Sequence, residues 1–334
     1  MPKRISVVLP CFNEEENVRE CYERVKNVIE KFPAYEFEMI FIDNASTDRT
    51  PEILRGLASN DKRVKVIFNA RNFGHIRSPY YGMLQASGDA VAIAASDLQE
   101  PPELIAEFIK KWEEGFKVVM AVRDTREESR VMAFLRGSYY RLLGKISDIR
   151  IVKNATGFGL YDRKVLDLMR EIGDPYPYFR GLVGEFGFEP AIVKFHMPAR
   201  KRGLTKNNFY TLFDMAMLGM TNHSKVPLRL ATMFGFAMSA LSLFLSIGYL
   251  IAKLVFWDQF QLGFAPVLIG FFFIASVQLF FVGIVGEYIG AIYTRVRQIP
   301  PVVEKERLNF ENDAPRAAAE HDGRTGAHRT QSGR

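Results

Sequence analysis

Through the first third of the chain, short apolar runs alternate with longer segments in which apolar residues recur every three or four positions. Ile5 to Leu9, Phe37 to Ile42, Val64 to Phe68, Ala90 to Ala94 and Lys117 to Val122 read as strands. Glu15 to Phe32, Thr50 to Ala58, Ser78 to Ala86 and the segment opened by Pro101 and Pro102 read as helices. This alternation predicts an α/β fold, a doubly wound and mostly parallel sheet with helices on both faces. Ligands of such sheets lie beyond the carboxyl ends of the strands. Polar residues collect there: Asn13 and Glu14 after the first strand, Asp43 and Asn44 after the second, Ser96, Asp97 and Gln99 after the fourth, Arg123 after the fifth. Four strand ends are expected to face one cleft.

The pattern changes in the last third. Leu230 to Ala252 and Phe264 to Gly286 are uncharged runs, each sufficient for a bilayer-spanning helix of about 20 residues. Buried core helices would have to explain two such runs separated by one short loop. Lys225, Arg229, Arg295 and Arg297 flank the pair, whereas the loop holds Lys253 at its edge, Trp257 and Asp258. Positive-inside bias then puts the preceding domain and both termini in the cytoplasm, on a multi-pass inner-membrane protein. Asn208 to Thr221 reads as an interfacial helix. The expected layout is a cytoplasmic domain over 1–207, an interfacial helix over 208–227, a two-helix anchor over 228–297 and a polar, disordered tail over 298–334. Two helices per chain are compatible with a homo-oligomer, and no interface is visible. Gln278 and Glu287 have the chemistry to pair across helices or simply to aid packing.

Composition narrows the partners. An apolar share of 48% over 334 residues excludes a disordered chain. The net charge of +6 comes without zinc-finger spacing or an aromatic RNA-binding signature, so no nucleic acid is expected; anionic lipid and phosphate suit it better. Thr125 to Lys145 carries Arg126, Arg130, Arg136, Arg141 and Lys145 beside Phe134, Leu135, Tyr139, Leu142 and Leu143. It reads as a basic amphipathic helix that lies on an anionic membrane or guides a lipid phosphate, or as an ordinary solvated helix face. Cys11 and Cys21 fit neither a disulfide framework nor metal spacing, which suggests a reducing compartment. The apolar run before Pro10 is too short for a signal peptide's usual run of about 7 to 15 residues, and it reads as the first strand.

The segment DAVAIAASDLQEPPEL carries the candidate chemistry. On an extended chain Asp97 and Gln99 point to one side and Leu98 to the other. One carboxylate and one amide oxygen suit Mg²⁺ or Mn²⁺, which complete their shells with water and substrate phosphates, so a diphosphate ligand is expected. A turn with a capping aspartate uses the same residues. A dinucleotide-binding dehydrogenase is excluded at its defining turn, because the first strand is followed by PCFNEEEN, without a glycine-rich loop. No P-loop replaces it, so metal and basic side chains are left to neutralise a diphosphate. Asp43 accepts hydrogen bonds from a base or ribose, or else helps cap the next helix with Ser46, Thr47 and Asp48.

Together SVVLPCFNEEENV, FIDNASTDRT, RNFGHIRSPYYG, SDLQEPPELI and GEYIGAIYTRV make the chain from Ile5 to Arg297 resemble glycosyltransferase family 2, in its polyprenyl-phosphate branch of bactoprenol glucosyltransferases and dolichol-phosphate mannose synthases. The resemblance implies a GT-A-like, nucleotide-sugar-binding sheet, a UDP or GDP sugar donor, a divalent metal and a polyprenyl phosphate acceptor. It implies donor contacts from Pro10, Phe12, Asn13 and Glu14, an acidic residue near the nucleoside in Asp43, metal and diphosphate contacts from Ser96, Asp97 and Gln99, and an arginine at the fifth strand end in Arg123. ARKRGLTK resembles the family's Arg-x-x-Gly-x-Ser-Lys loop, which puts Arg200 and Lys206 near the diphosphate, with Thr205 for serine. PYFRGLVGEFGF resembles a region bordering the acceptor path, so Arg180, with Arg130 and Arg136, is a candidate for the acceptor phosphate or a structural ion-pair partner. Asp97, Arg123 and Lys206 are the expected catalytic groups. Three places depart from the family: Ala95 stands for the first acid of the metal motif, Asp43 and Asn44 for paired aspartates, and Thr156, Gly157, Phe158 and Gly159 for Gly-Asp-Phe-Arg.

A phosphate monoester has a second pKa of about 6, so the acceptor arrives as a dianion and needs no base. Arg and Lys offset the repulsion between two anionic partners, and a single displacement inverts the anomeric carbon, from an α-linked donor to a β-linked product. A hydroxyl acceptor would need a positioned carboxylate, for which Glu185 and Asp174 are available. Two other classes stand beside this one. A processive polysaccharide synthase would show Gln-x-x-Arg-Trp, yet neither Trp112 nor Trp257 follows an arginine. A non-catalytic sugar-nucleotide-binding scaffold is suggested by Ala95, Gly157 and Gly159.

Overall fold

The computed structural model describes residues 2–123, 152, 155–174, 176–177, 179–196, 226–255, 264–297 and 300–310. The chain forms two compact units; the second takes in the segments 129–151 and 207–298, and the first holds the remainder.

The first unit is an eight-stranded sheet. Its strands are β1 (Arg4–Cys11), β2 (Glu36–Asp43), β3 (Val64–Asn69), β4 (Ala90–Ile93), β5 (Val118–Arg123), β6 (Ala155–Asp162), β7 (Pro190–Phe195) and β8 (Glu304–Leu308), in the spatial order β7-β5-β6-β4-β1-β2-β3-β8. β1 pairs in parallel with β2 and β4, β2 with β3, and β5 with β7; β6 and β8 run against their neighbours. The helices are α1 (Val18–Ile29), α2 (Thr50–Asn60), α3 (Gly74–Gln85), α4 (Ile105–Glu113), α5 (Arg163–Ile172) and α6 (Phe179–Glu185). Strand alternation divides the core in two. Ile5, Val7, Leu9, Met39 and Phe41 pack under α1, α2 and α4, while Val8, Ile40 and Ile42 pack under α3, α5 and α6. The predicted α/β class and its five strands are therefore present, with both faces covered.

Two findings bear on the expected outline. The polar tail assigned to 298–334 contains β8, which pairs antiparallel with the edge of β3. Val302 is buried beside it, and Ala70 donates its N–H to the Val303 carbonyl at 2.9 Å. Arg55 meets Glu306 at 2.6 Å, and Arg307 donates to Gln85 at 2.8 Å. The strand EKERL escapes an apolar-run search because an edge strand keeps charges, which also discourage further pairing.

The second finding concerns the membrane helices. The second unit holds two long helices, α7 (Val226–Val255) and α8 (Phe264–Val296), which touch through Phe234 and Phe281 with ring centroids 5.3 Å apart. Among the described residues one stretch, Phe273–Val296, is long and apolar enough to cross a bilayer, and none of it is buried. α7 is 30 residues long, and the apolar stretch found among its described residues is Val226–Leu241. Two helices stand where two spans were expected; among the described residues the qualifying stretch lies in α8, and it extends past Gly286 to include Glu287. The interfacial segment over 208–225 lies outside the described residues.

Asn309 closes β8 in the left-handed region, with φ 62, and donates to the carbonyls of Ala58 and Val64, each at 2.8 Å. Asn309→Ala removes both bonds from two carbonyls and should lower stability by about 1–3 kcal/mol. A melting temperature in detergent equal to that of the unaltered protein would show that β8 does not brace the sheet.

Candidate active site at the carboxyl ends of the strands

The loops after β1 and β2 are sewn together by side chains. Asn13, left-handed at φ 55, donates its N–H to Ser46 Oγ at 2.8 Å, and its Oδ1 accepts the Thr47 N–H at 2.8 Å. Glu14 donates its N–H to Thr50 Oγ1 at 2.9 Å, and Glu15 donates to Asp48 at 3.1 Å while accepting the Arg49 N–H at 3.0 Å. Asp48 also accepts the Thr50 N–H at 2.9 Å as α2 begins. These bonds satisfy loop amides that the sheet cannot reach. They also explain why α1 begins at Val18 rather than near Glu15.

Asp43 is 2% exposed, and its carboxylate accepts both the N–H and the hydroxyl of Ser46. Burial pushes its pKa up, against the pull of those bonds. The turn-closing alternative is thus the role visible in its contacts. Asn44 is a hub: its Oδ1 accepts from Phe73 N–H at 2.8 Å and Asn69 Nδ2 at 3.1 Å, and its Nδ2 donates to Asn72 Oδ1 at 3.0 Å and the Gly74 carbonyl at 3.3 Å. Asn69 Nδ2 also donates to Ser78 Oγ at 2.9 Å, while Asn69 Oδ1 is buried without a hydrogen-bond partner among the described residues. The Arg71 guanidinium lies 4.2 Å from the Phe73 ring centroid, and Arg77 lies 5.7 Å from it. The sequence flagged Asn44 as a strand-end polar residue and a departure, held Asn72 and Ser78 in a quoted motif without a role, and left Asn69 out.

At the end of β4 the expected geometry differs. Ser96 donates its N–H to the Pro10 carbonyl at 3.2 Å, which joins the fourth strand end to the first. Ser96 itself is buried, its Oγ without a hydrogen-bond partner among the described residues. From there the chain turns instead of staying extended: Leu98 is left-handed at φ 58, and Asp97 Oδ1 accepts the Gln99 N–H at 3.2 Å. The alternation that would have put Asp97 and Gln99 on one side therefore does not operate, and a turn presents them instead. Arg24 clamps this loop from α1 through bonds of 2.8 and 2.7 Å to Glu103.

Glu100 is a group that sequence reasoning missed. Burial pushes its pKa up to about 7, and the charge of Asp97 adds to the rise; the Thr156 hydroxyl, the Ala95 N–H and Arg123 act the other way. Its signal was an acid directly after the metal motif. Cys11 and Cys21 are free, and burial raises both thiols, Cys21 to about 12, so neither is a nucleophile here.

Pro10, Phe12, Asn13, Glu14, Asp43, Ser96, Asp97, Gln99 and Arg123 all lie at the carboxyl ends of β1, β2, β4 and β5 or in the loops that follow. Arg130, Arg136, Arg200 and Lys206 lie outside the described residues, as does the side chain of Arg180 in α6. Asp174 is buried and accepts the Tyr176 N–H at 3.0 Å, and Glu185 is exposed at the end of α6. Gly157 has φ 98, a conformation that an acidic side chain adopts poorly, and a Cβ on Gly159 would stand 2.1 Å from the Val119 carbonyl. The missing acid and arginine are thus matched by a backbone that has no place for them.

A mostly parallel sheet with an oxygen-rich cleft at its carboxyl edge defines a GT-A-like α/β transferase. The chain belongs to glycosyltransferase family 2: the model described as glycosyl transferase family 2 matches residues 6–169. It is similar to the "Uncharacterized glycosyltransferase YkcC" of Bacillus subtilis (strain 168), 36% identical over 308 residues, covering 92% of this chain and 95% of the relative. It is also similar to the SfII prophage-derived bactoprenol glucosyl transferase of Shigella flexneri, 34% identical over 304 residues, covering 91% of this chain and 98% of the relative. Among solved structures, the glucosyl-3-phosphoglycerate synthase of Mycobacterium tuberculosis, in complex with Mn²⁺, UDP and glucosyl-3-phosphoglycerate, superposes with a TM-score of 0.41 at 20% identity, over 66% of this chain and 78% of that one. So loose a likeness carries no chemistry across.

Asn44→Asp tests the hub. Asn72 cannot simply turn over to donate to the new carboxylate, because its Oδ1 also accepts the Gly74 N–H at 2.8 Å. Loss of the two donated bonds should destabilise the protein by about 1–3 kcal/mol, read from urea or thermal unfolding. An unchanged midpoint would mean that the loop is held by other contacts.

Proposed function

We propose that this glycosyltransferase is membrane-bound and inverting, and that it moves one sugar from a nucleotide-diphosphate sugar to a polyprenyl phosphate. The product would be a lipid-linked sugar donor for modifying cell-envelope glycans. The observation that carries this reading is the unburied apolar stretch Phe273–Val296 in the same chain as the cleft. An enzyme with two water-soluble substrates has no need of it, whereas an isoprenoid acceptor stays in the bilayer. The bactoprenol glucosyl transferase named above matches 91% of this chain, which supports the same acceptor class.

Asp97 and Gln99 are the residues that would hold Mg²⁺ or Mn²⁺, and their oxygen donors suit a hard cation. Among the described residues no group of three or more His, Cys, Asp or Glu side chains forms a ready-made metal cluster, so water and donor phosphates would complete the shell. The bound cation supplies charge neutralisation on the departing diphosphate. Arg123, with Arg200 and Lys206 from the loop matched by resemblance, offsets the repulsion between the donor diphosphate and the acceptor phosphate. No carboxylate base is required, because the acceptor is already a dianion. Arg229, Arg295 and Arg297 flank the helix pair, and by positive-inside bias the catalytic unit faces the cytoplasm.

Membranes supplied with a panel of nucleotide sugars should yield, by mass spectrometry, a polyprenyl phosphate carrying one sugar. NMR should show a β linkage from an α-linked donor; an α-linked product would overturn inversion. Asp97→Ala should lower turnover by about 10²–10³-fold. Undiminished turnover of this variant after divalent cations are chelated would remove the metal from the mechanism.

A further inference from the structure

Two arginines rest on one ring at the carboxyl end of β3. Phe73 is buried, and its N–H is held by Asn44 Oδ1 at 2.8 Å. The Arg71 guanidinium lies 4.2 Å from the ring centroid and that of Arg77 lies 5.7 Å from it. Arg71 donates to the Asn72 carbonyl at 3.2 Å, and Arg77 donates through Nε to the Phe73 carbonyl at 3.2 Å. Arg77 also lies 5.7 Å from the ring of Tyr176, so two aromatic rings hold it. Tyr176 belongs to the loop after α5, where its N–H is bonded to Asp174 at 3.0 Å. β6 runs against β4, so α5 starts at the far edge of the sheet and returns the chain to the carboxyl edge, where the loop leads into α6. Among the described residues neither guanidinium has a carboxylate within ion-pair distance.

We propose that Arg77, held between Phe73 and Tyr176, binds a phosphate group of a substrate in the cleft. The proposal rests on the reading above that both substrates carry phosphate, and it adds a residue that the strand-end pattern did not select. Two positive charges on one ring with no acid between them repel one another, and an anion relieves that repulsion. Aromatic faces hold a guanidinium by its plane and leave its edge, where the N–H groups lie, for oxygen. In Arg77 the Phe73 carbonyl takes the Nε edge, so the terminal nitrogens keep the donors that pair with a phosphate in a fork. The donor diphosphate and the acceptor monoester share this chemistry.

The test is calorimetric titration of the full-length protein in detergent with UDP and, separately, with a short-chain isoprenyl phosphate. Arg77→Gln should weaken one of the two by about tenfold or more and leave the other unchanged; the ligand that loses affinity identifies the source of the phosphate. Arg77→Lys keeps the charge without the planar fork and should recover part of the loss. A merely structural arginine would lower the melting temperature of both variants without a selective change in affinity. If wild type binds both ligands and a folded Arg77→Gln binds them equally well, the proposal is overturned while the reading of the function stands. Equal losses on both ligands, the mark of a displaced cleft, also overturn it. If wild type binds neither ligand, the reading of the function falls and the proposal falls with it. Should Arg77→Gln fail to fold, Arg77→Lys carries the same comparison, and unchanged affinities there overturn the proposal.

Discussion

A parallel sheet brings its strands to an end along one edge, where backbone groups leave the ladder with no strand to receive them. The cleft of this protein is built from the answer to that constraint. Asn13, Asp43, Asn44, Ser46, Asp48 and Thr50 turn side chains onto the amides of neighbouring loops, so that the first and second strand ends become one bonded structure. The loops at three strand ends adjacent in the sheet, those of β4, β1 and β2, each hold one left-handed residue that is not glycine: Leu98, Asn13 and Ala45. Such conformations cost an ordinary residue about 1–2 kcal/mol. Their concentration at one edge fits a site where the surrounding bonds fix the backbone and the tight turns serve ligand binding.

The opposite edge of the sheet is closed in another way. Glu38 is buried and takes bonds from Lys65 at 2.5 Å, Ser6 at 2.5 Å and the Ser87 N–H at 2.7 Å, which together hold its carboxyl below the usual range despite burial. Every one of these partners comes from the protein itself. The carboxyl edge instead retains Asn69 Oδ1 and Ser96 Oγ, buried oxygens with no protein partner among the described residues. Polar groups left unpaired beside a cleft mark the edge at which binding remains to be done.

What the sequence revealed followed from how strongly each signal was constrained. Strands buried on both faces, such as AVAI at 90–93, read as continuous apolar runs, so the sheet and the direction of its cleft were legible. β6 and β8 were not. β6 carries Gly157 and Gly159, required by φ and by the close approach of β5, and these interrupt its apolar pattern. β8 is charged because it is an edge. In the site, identities at strand ends could be read, but their partners could not. Asp97 and Gln99 were expected to share a side through extended alternation, and one left-handed residue, Leu98, replaced that geometry with a turn.

The departures from the family pattern differ in kind, and the difference bears on whether this chain is a weakened enzyme or a rearranged one. A simple loss would leave a residue-sized space around an otherwise unchanged backbone. At Gly159 there is no such space, since a Cβ would meet the Val119 carbonyl at 2.1 Å, so the arginine could not be restored without moving β5 against β6. Gly157 has open space, yet its φ of 98 excludes an easy return of the acid. β6 has therefore settled into a register in which Phe158 packs between Phe108 and Phe195, with ring centroids 4.8 and 6.1 Å apart, and the flanking glycines make that packing possible. A strand that has exchanged two charged side chains for close packing cannot contribute charge to the cleft from positions 157 and 159. Any charge beside β6 in the cleft has to come from a neighbouring loop, and the loop after β4 carries Asp97.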